Sequence, residues 1–232
     1  MKRFPKTPAS VICAIAALAA CSQQHEQSST AAPAAAPAAI TPAKVNVPAG
    51  MYTLDKVHST LTFHLEHMGF SNYTARFTGL DAQLQFDPVN PTAAALSVTI
   101  DPRSLDLNNP PPGFKDTLLG PDWLDAAKYP QMTFRSTSVA LTTPNAMRIE
   151  GELTLHGITH PVTLDATFNG GYAGQPLDPH ARIGFSAHGS IKRSDFGIAN
   201  GIPAPGTKMG VGDEVSVAIE TELSGPAWSA SA

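Results

Sequence analysis

The stretch VSVAIETE, residues 215–222, shows most clearly how this chain folds. Val215, Val217 and Ile219 occupy every second position, and small or charged residues stand between them. Side chains of a β-strand point alternately to the two faces of a sheet, so this spacing places the three branched side chains on one face. The stretch therefore predicts a strand with one apolar face and one more polar face.

The same period of two recurs in seven segments that precede this strand. Turn residues separate the segments, and a helical pattern appears only within residues 113–129. Sequential antiparallel strands joined by turns are typical of a closed meander barrel or a sandwich. We predict an all-β protein, an eight-stranded antiparallel barrel, with strands at residues 52–67, 74–87, 96–100, 131–141, 147–155, 160–168, 181–192 and 213–224.

The up-and-down order of these strands divides their connections between two ends of the barrel. Both long irregular segments, 102–130 and 193–212, fall at one end, together with the turns at 67–69 and 156–160. Long loops often carry function, so this end is the predicted mouth. The short helical segment within 113–129 is predicted to act as a lid over it.

Composition excludes several classes of function. Lys and Arg number 15 against 19 Asp and Glu, and no basic run occurs, so nucleic acid is not an expected partner. Cys13 and Cys21 both precede the barrel, which leaves it without a disulfide, a cysteine zinc site or a cysteine nucleophile. No Gly-x-Ser-x-Gly motif occurs, and adjacent His58 and Ser59 would point apart on a strand. We therefore expect no enzymatic activity.

Residues 1–20 are typical of an export signal. A basic start precedes the apolar run VICAIAALAA (11–20), which is too short to span a bilayer. The run leads into Cys21 in a pattern similar to the lipobox of bacterial lipoproteins, in which the cysteine is lipidated. An ordinary signal peptide is the alternative. The lipobox implies a membrane anchor through Cys21, facing the periplasm, and Ser22 after it favours the outer membrane.

Two flanking segments differ from the barrel in composition. Residues 22–49 hold four Pro and no aromatic residue, which predicts a semi-extended Pro/Ala-rich linker. Residues 226–232 are predicted to form a disordered tail. The predicted barrel domain therefore covers residues 50–225.

Five short motifs along the predicted barrel resemble the YceI-like family. They are DKVHS (55–59), YPQMTF (129–134), GELTLHGI (151–158), RSDFGI (193–198) and VGDEV (211–215). Together, and in this order, they extend over the whole predicted domain. The resemblance implies a lipocalin-like barrel, exported in bacteria, with a long apolar pocket for a polyisoprenoid such as an isoprenoid quinone or a prenyl phosphate. It implies no catalytic residues and no required cofactor.

Apolar residues of the strands and the lid are the candidate ligand-binding residues. The residues alone are equally compatible with a filled core, and the resemblance favours a cavity. A long prenyl chain needs few polar contacts, because each buried CH₂ contributes roughly 0.8 kcal/mol. The candidates are Phe63, Leu65, Phe77, Phe86, Val98, Ile100, Leu118, Leu119, Trp123, Phe134, Leu153, Leu155, Leu164, Phe168, Phe185 and Phe196.

Three polar residues near the predicted mouth are head-group candidates: His67, His156 and Arg193. An ion pair between Arg193 and Asp195 that stabilises a turn is the alternative for Arg193. The seven histidines of the domain do not show ligand spacing, so no metal site is predicted.

The sequence therefore predicts a periplasmic protein that sequesters or carries an isoprenoid lipid or quinone. Two alternatives stay open. One is a stress-related structural module with a filled core and a protein partner, and the other is a metal-binding protein. The residues do not decide between a monomer and a homodimer.

Overall fold

The computed structural model describes residues 39–228, so the predicted signal peptide, Cys21 and most of the predicted linker lie outside the described residues. The strands are β1 (Gly50–Leu54), β2 (Thr60–His67), β3 (Ser71–Phe77), β4 (Leu80–Phe86), β5 (Ala95–Ile100), β6 (Leu105–Leu107), β7 (Met132–Leu141), β8 (Ala146–Leu155), β9 (Ile158–Tyr172), β10 (His180–Lys192) and β11 (Val211–Ala227). The helix α1 covers Phe114–Leu119, and 3₁₀ turns cover Pro91–Ala93, Pro102–Ser104 and Arg193–Phe196. Among the described residues, no helix combines the length and apolar character needed to cross a membrane.

The strands form one antiparallel sheet that closes into a barrel with eight strands around its circumference. The order is β1, β4, β5, β7, β8, β9, β10 and β11, and β11 returns to pair with β1. Strands β2, β3 and β6 extend β1, β4 and β5 beyond bends, and β2 also pairs with β11. The predicted eight-stranded barrel is confirmed. The structure differs in that two predicted strands, 52–67 and 74–87, are each divided by a bend, and β6 lies in a segment predicted to be irregular.

A close backbone approach holds two of the bends together. A Cβ atom at Gly79, between β3 and β4, would lie 2.8 Å from the Cβ of Ser104, between β5 and β6. The amide of Thr78 donates to the carbonyl of Ser104 at 3.2 Å, and the amide of Asp101 donates to the carbonyl of Gly79 at 2.9 Å. The two bends therefore stack on each other and direct β3 and β6 together.

The connections fall at two ends of the barrel, as the strand order predicted. One end, called the open end below, carries the connections 68–70, 108–131, 156–157 and 193–210. The opposite end, called the closed end, carries the connections 87–94, 142–145 and 173–179. The longest irregular segments thus share one end.

Aromatic rings fill the closed end. Tyr52 is fully buried, and its ring and those of Phe86, Phe168 and Phe185 pack with centroid separations of 5.3 to 6.2 Å. The Tyr52 hydroxyl donates to the carbonyl of Pro48 at 2.7 Å, and burial raises the pKa of Tyr52 to about 12. This end of the barrel is a solid apolar core.

The last residues of the predicted linker belong to this core. Val47 is buried, and Val45 packs against the same cluster. The amide of Ala43 donates to the carbonyl of Pro144, in the closed-end turn between β7 and β8, at 2.7 Å. Residues 43–49 therefore cover the closed end, which differs from the prediction of a free linker up to residue 49.

The other boundary also differs from the prediction. Strand β11 continues to Ala227, two residues into the predicted tail, and the amide of Trp228 donates to the carbonyl of Pro179 at 2.5 Å. Ala39–Ala232 forms one compact unit that contains every strand pairing of the barrel.

Candidate ligand cavity

A cavity of about 590 Å³ lies inside the barrel. Of the residues that line it, only His67, Tyr73, Arg193 and Thr221 are polar. Within residues 39–228, no buried side-chain nitrogen or oxygen lacks a hydrogen-bond partner. The interior therefore offers hydrocarbon contacts and no buried polar group that a ligand atom must satisfy.

The cavity opens at the open end. The exposed lining residues are His67, Pro111 and Phe114, which all lie there. At the closed end the lining stops at buried side chains such as Phe86 and Leu223. The space is a pocket with one opening, at the predicted mouth.

The structure brings together most of the predicted ligand-binding residues. They line the cavity from strands on all sides of the barrel, and Leu118 and Trp123 reach it from the lid segment. The predicted residues found in the lining are Phe63, Leu65, Phe77, Phe86, Val98, Ile100, Leu118, Trp123, Phe134, Leu153, Leu155, Leu164 and Phe185.

Three predicted lining residues lie elsewhere, and the prediction is wrong for them. Leu119 is the last residue of α1, where its carbonyl accepts a hydrogen bond from the amide of Ala126 at 2.9 Å. Phe168 belongs to the aromatic cluster of the closed end. Phe196 is 1% exposed in a 3₁₀ turn and packs edge-on against His160. Each is packed against protein atoms and does not line the cavity.

The prediction also left out a large part of the wall. Most of these residues alternate along strands in the same way as the predicted ones, so the period of two marks them equally well. Leu107 and Pro111 at the opening carry no such signal, because their positions depend on the fold of the loop before α1. The missed wall residues include Leu54, Leu61, Leu80, Ala82, Leu84, Leu96, Val215, Val217 and Ile219.

Arg193 lines the cavity, but its hydrogen-bonding groups are already in use. The side chain is 4% exposed and lies over the ring of Trp123, 5.3 Å from its centroid. The expected ion pair with Asp195 is not formed between these described residues; Asp195 is exposed. Instead, the guanidinium donates at 2.7 to 2.9 Å to the backbone carbonyls of Ile198, Asn200, Val211 and Gly212. Arg193 therefore holds the loop before β11 in place by hydrogen bonds and contacts the lid through Trp123.

The two histidine candidates also have different surroundings. Nδ1 of His156 donates to the carbonyl of Phe196 at 3.1 Å, and the ring packs edge-on against Tyr129 at 4.8 Å. His156 does not line the cavity, so its predicted head-group role is wrong. His67, at the end of β2, is exposed and lines the opening. His67 and nearby Tyr73 are the polar side chains at the opening that can meet a ligand head group.

One cluster on the outer surface has the composition of a metal site. Asp55, His58 and Glu222 place their ligand atoms within 4.8 Å of one another. The guanidinium of Arg182 lies in the same place, 2.5 Å from Asp55 and 3.7 Å from Glu222. Because the guanidinium of Arg182 already pairs with both carboxylates, the cluster is an ion-pair network and gives no support to the metal-binding alternative.

A closed antiparallel barrel with an apolar interior that opens at one end defines the lipocalin-like class of ligand-binding folds. The family model of the YceI-like domain matches residues 52–223, which include nine of the eleven strands in whole and the larger part of β1 and β11. The chain belongs to the YceI-like family.

Two bacterial proteins are similar to this chain over about 150 residues. Protein YceI of Escherichia coli O157:H7 is 41% identical over 152 residues, which cover 63% of this chain and 75% of that protein. A UPF0312 protein of Vibrio cholerae is 35% identical over 150 residues, covering 63% of this chain and 77% of the relative.

Solved structures share the fold. Burkholderia cenocepacia BcnA matches with a TM-score of 0.61 and 28% identity, over 73% of this chain and 98% of that one. A polyisoprenoid binding domain from Saccharophagus degradans, described as implicated in plant cell wall breakdown, matches with a TM-score of 0.53 and 17% identity, over 75% and 98%. At that identity the second match shows the fold alone.

Proposed function

We propose that this protein binds an isoprenoid lipid, such as a quinone or a prenyl phosphate, with the prenyl chain in the barrel cavity and the head group at the open end. The cavity itself carries this proposal. Its wall is almost entirely hydrocarbon, and a prenyl chain gains roughly 0.8 kcal/mol for each buried CH₂ without requiring polar partners. The Saccharophagus domain, which is named for polyisoprenoid binding, has the same fold.

The role is one of sequestering or carrying the lipid, and not of catalysis. Export to the periplasm and an outer-membrane anchor through lipidated Cys21 are part of the proposal and rest on the sequence of the leader. The hollow interior disfavours the alternative of a structural module with a filled core, because that alternative requires side chains to occupy this space.

Ligand recovery tests the proposal directly. The unit Ala39–Ala232 would be purified from a bacterial periplasm. Its mass would be measured by native mass spectrometry, and any bound molecule would be extracted with organic solvent. We expect a bound species of several hundred daltons that extracts as a prenyl lipid. A barrel that is purified without a ligand and does not bind added quinones or prenyl phosphates would contradict the proposal.

A pair of tryptophan variants on β11 locates the ligand. Val217 lines the cavity, and its neighbour Ser216 is exposed on the outer face. We expect Val217→Trp to weaken lipid binding by about tenfold or more, because the indole occupies space that the prenyl chain needs. Ser216→Trp should bind as the parent does, and circular dichroism should show that both variants fold.

A further inference from the structure

Two neighbouring segments at the open end carry exposed apolar side chains. One is the turn between β2 and β3, and the other immediately precedes β11. Phe70 is 79% exposed, Met209 is 68% exposed and Met68 is 36% exposed. The amide of Met68 donates to the carbonyl of Gly210 at 2.8 Å, which holds the two segments side by side. Met68, Phe70 and Met209 are called the apolar tip below.

The apolar tip stands at the rim of the cavity. His67 precedes the turn, and Val211 follows Met209 by two residues; His67 and Val211 are paired across β2 and β11. Both also line the cavity. A surface in contact with the tip is therefore next to the opening.

The backbone of this turn is unusual for the residue that occupies it. Met68 and Gly69 have φ values of 53° and 71°, the left-handed pair that a type I′ hairpin turn requires. Asn, Asp or Gly is preferred at the first of these positions, and a long apolar side chain there is disfavoured. Met68 keeps 36% of its surface exposed in this conformation, so its side chain is available for a contact outside the fold.

Exposed apolar residues at the closed end have a different arrangement. Val89 is 85% exposed on the connection between β4 and β5, and Leu177 is 95% exposed on the connection between β9 and β10. Strands β7 and β8 separate these two connections around the barrel. Single exposed apolar residues are common on protein surfaces. The grouping at the rim is what distinguishes the apolar tip.

Charge and size favour a bilayer as the occupant. The ammonium of Lys208, beside the tip, lies 3.4 Å from the carboxylate of Glu66, so the tip presents no uncompensated cation for an acidic partner. A stable protein interface buries about 800 Å² on each side, far more than three side chains supply. A few projecting apolar side chains are sufficient for insertion into the interface of a bilayer.

We propose that the apolar tip inserts into the surface of a lipid bilayer and places the open end of the cavity against it. A prenyl chain then passes between bilayer and cavity without crossing water. The identity of the transferred lipid rests on the proposed function, whereas the docking of the tip to a bilayer does not.

Vesicle binding tests the docking. The unit Ala39–Ala232 would be mixed with vesicles of pure phosphatidylcholine and the bound fraction measured by flotation. We expect Phe70→Ser to lower the partition coefficient by about tenfold. The matched control is Leu177→Ser, which removes an equally exposed side chain from the closed end and should bind as the parent does. Added salt should have little effect, because the contact is apolar.

Two outcomes would overturn the docking: a parent protein that does not bind these vesicles, or equal binding by Phe70→Ser and Leu177→Ser. A dimer that dissociates with Phe70→Ser, without vesicle binding by the parent, would instead assign the tip to a second copy of the chain.

A second readout separates this proposal from the proposed function. Binding of a short-chain ubiquinone in solution should be the same for Phe70→Ser and the parent, since Phe70 does not line the cavity. If the protein binds the quinone in solution and Phe70→Ser binds vesicles as well as the parent does, the docking is rejected and the lipid ligand is not. Tip-dependent vesicle binding by a protein that takes up neither quinones nor prenyl phosphates would reject the lipid ligand alone.

Discussion

The closed end and the open end of the barrel differ in what occupies the space between the strands. At the closed end, four aromatic rings and the segment 43–49 fill the barrel, and the connections are short. At the open end the same strands surround a cavity, and long loops are fixed by hydrogen bonds from Arg193 to main-chain carbonyls. The difference shows that one sheet can separate the tasks of stability and ligand access along its strands.

The largest effect that this comparison predicts is on packing at the closed end. Tyr52→Ala removes a fully buried ring and its hydrogen bond to Pro48, and should lower the free energy of unfolding by about 3–5 kcal/mol. Phe63→Ala, in the cavity wall, should cost no more than about half as much, because one side of that ring already faces empty space. Urea unfolding measures both. Equal losses would mean that the wall is packed as tightly as the closed end.

An intermediate effect is predicted for Arg193 at the open end. Arg193→Met removes the donor of one buried hydrogen bond, to Ile198, and of three partly buried ones, to Asn200, Val211 and Gly212, and should lower the free energy of unfolding by about 2–4 kcal/mol. The loop 197–210 should also become the first site of limited proteolysis. Arg103→Met is the control, because that exposed arginine pairs with Asp101 at the surface and should change stability by less than about 0.5 kcal/mol. A protease-resistant loop in the Arg193 variant would contradict this role.

The smallest effect concerns the ion pairs on the outer surface near the closed end. Hydrogen bonds from His58 and Arg182 hold the pKa of Asp55 well below its usual range. A depressed carboxyl pKa adds stability above the ordinary pKa of 3.8, and this stability is lost as the pH falls through the folded pKa. Asp55→Asn should therefore cost about 1–2 kcal/mol near neutral pH and progressively less below about pH 4.

His58 contributes with the opposite sign. Asp55 raises the pKa of His58, so the contribution of His58 is complete below its ordinary pKa of 6.5 and fades as the pH rises through the folded pKa. Unfolding measured across the pH range checks both residues. The control is Asp81→Asn, which disrupts an exposed pair with Lys56. A loss for Asp55→Asn that does not change with pH would show that its charge is not what matters.

The strands and the arrangement of the two ends were predictable from sequence, because alternation is a local property and antiparallel order follows from it. The position of a residue along the barrel axis was not. Phe168 and Leu164 share a face of β9, but Leu164 lines the cavity and Phe168 packs in the closed end. Whether each of these two side chains faces the cavity depends on the aromatic side chains that other strands place beside it. The family resemblance, and not the alternation, favoured a cavity over a filled core.

Arg193 shows a second limit. Its partners are main-chain carbonyls, which every residue carries, so the sequence offers no sign of them. Val47 shows a third limit. A single apolar residue in a Pro/Ala-rich stretch is a weak signal in the sequence, but the burial of Val47 extends the folded unit toward the N-terminus. The bends beside Gly79 likewise depend on contact with Ser104, which is distant in sequence.

The positions of the two chain ends have a practical consequence. Both Ala43 and Trp228 are hydrogen-bonded to turns of the closed end, so the described chain enters and leaves the barrel far from its opening. A fluorescent protein, an affinity tag or a sensor chip joined directly before Ala39 or after Trp228 would therefore start from the end of the barrel that is opposite the entrance. Because both of these residues lie at the closed end, a circularly permuted form can join them across that end and open the chain in an exposed loop.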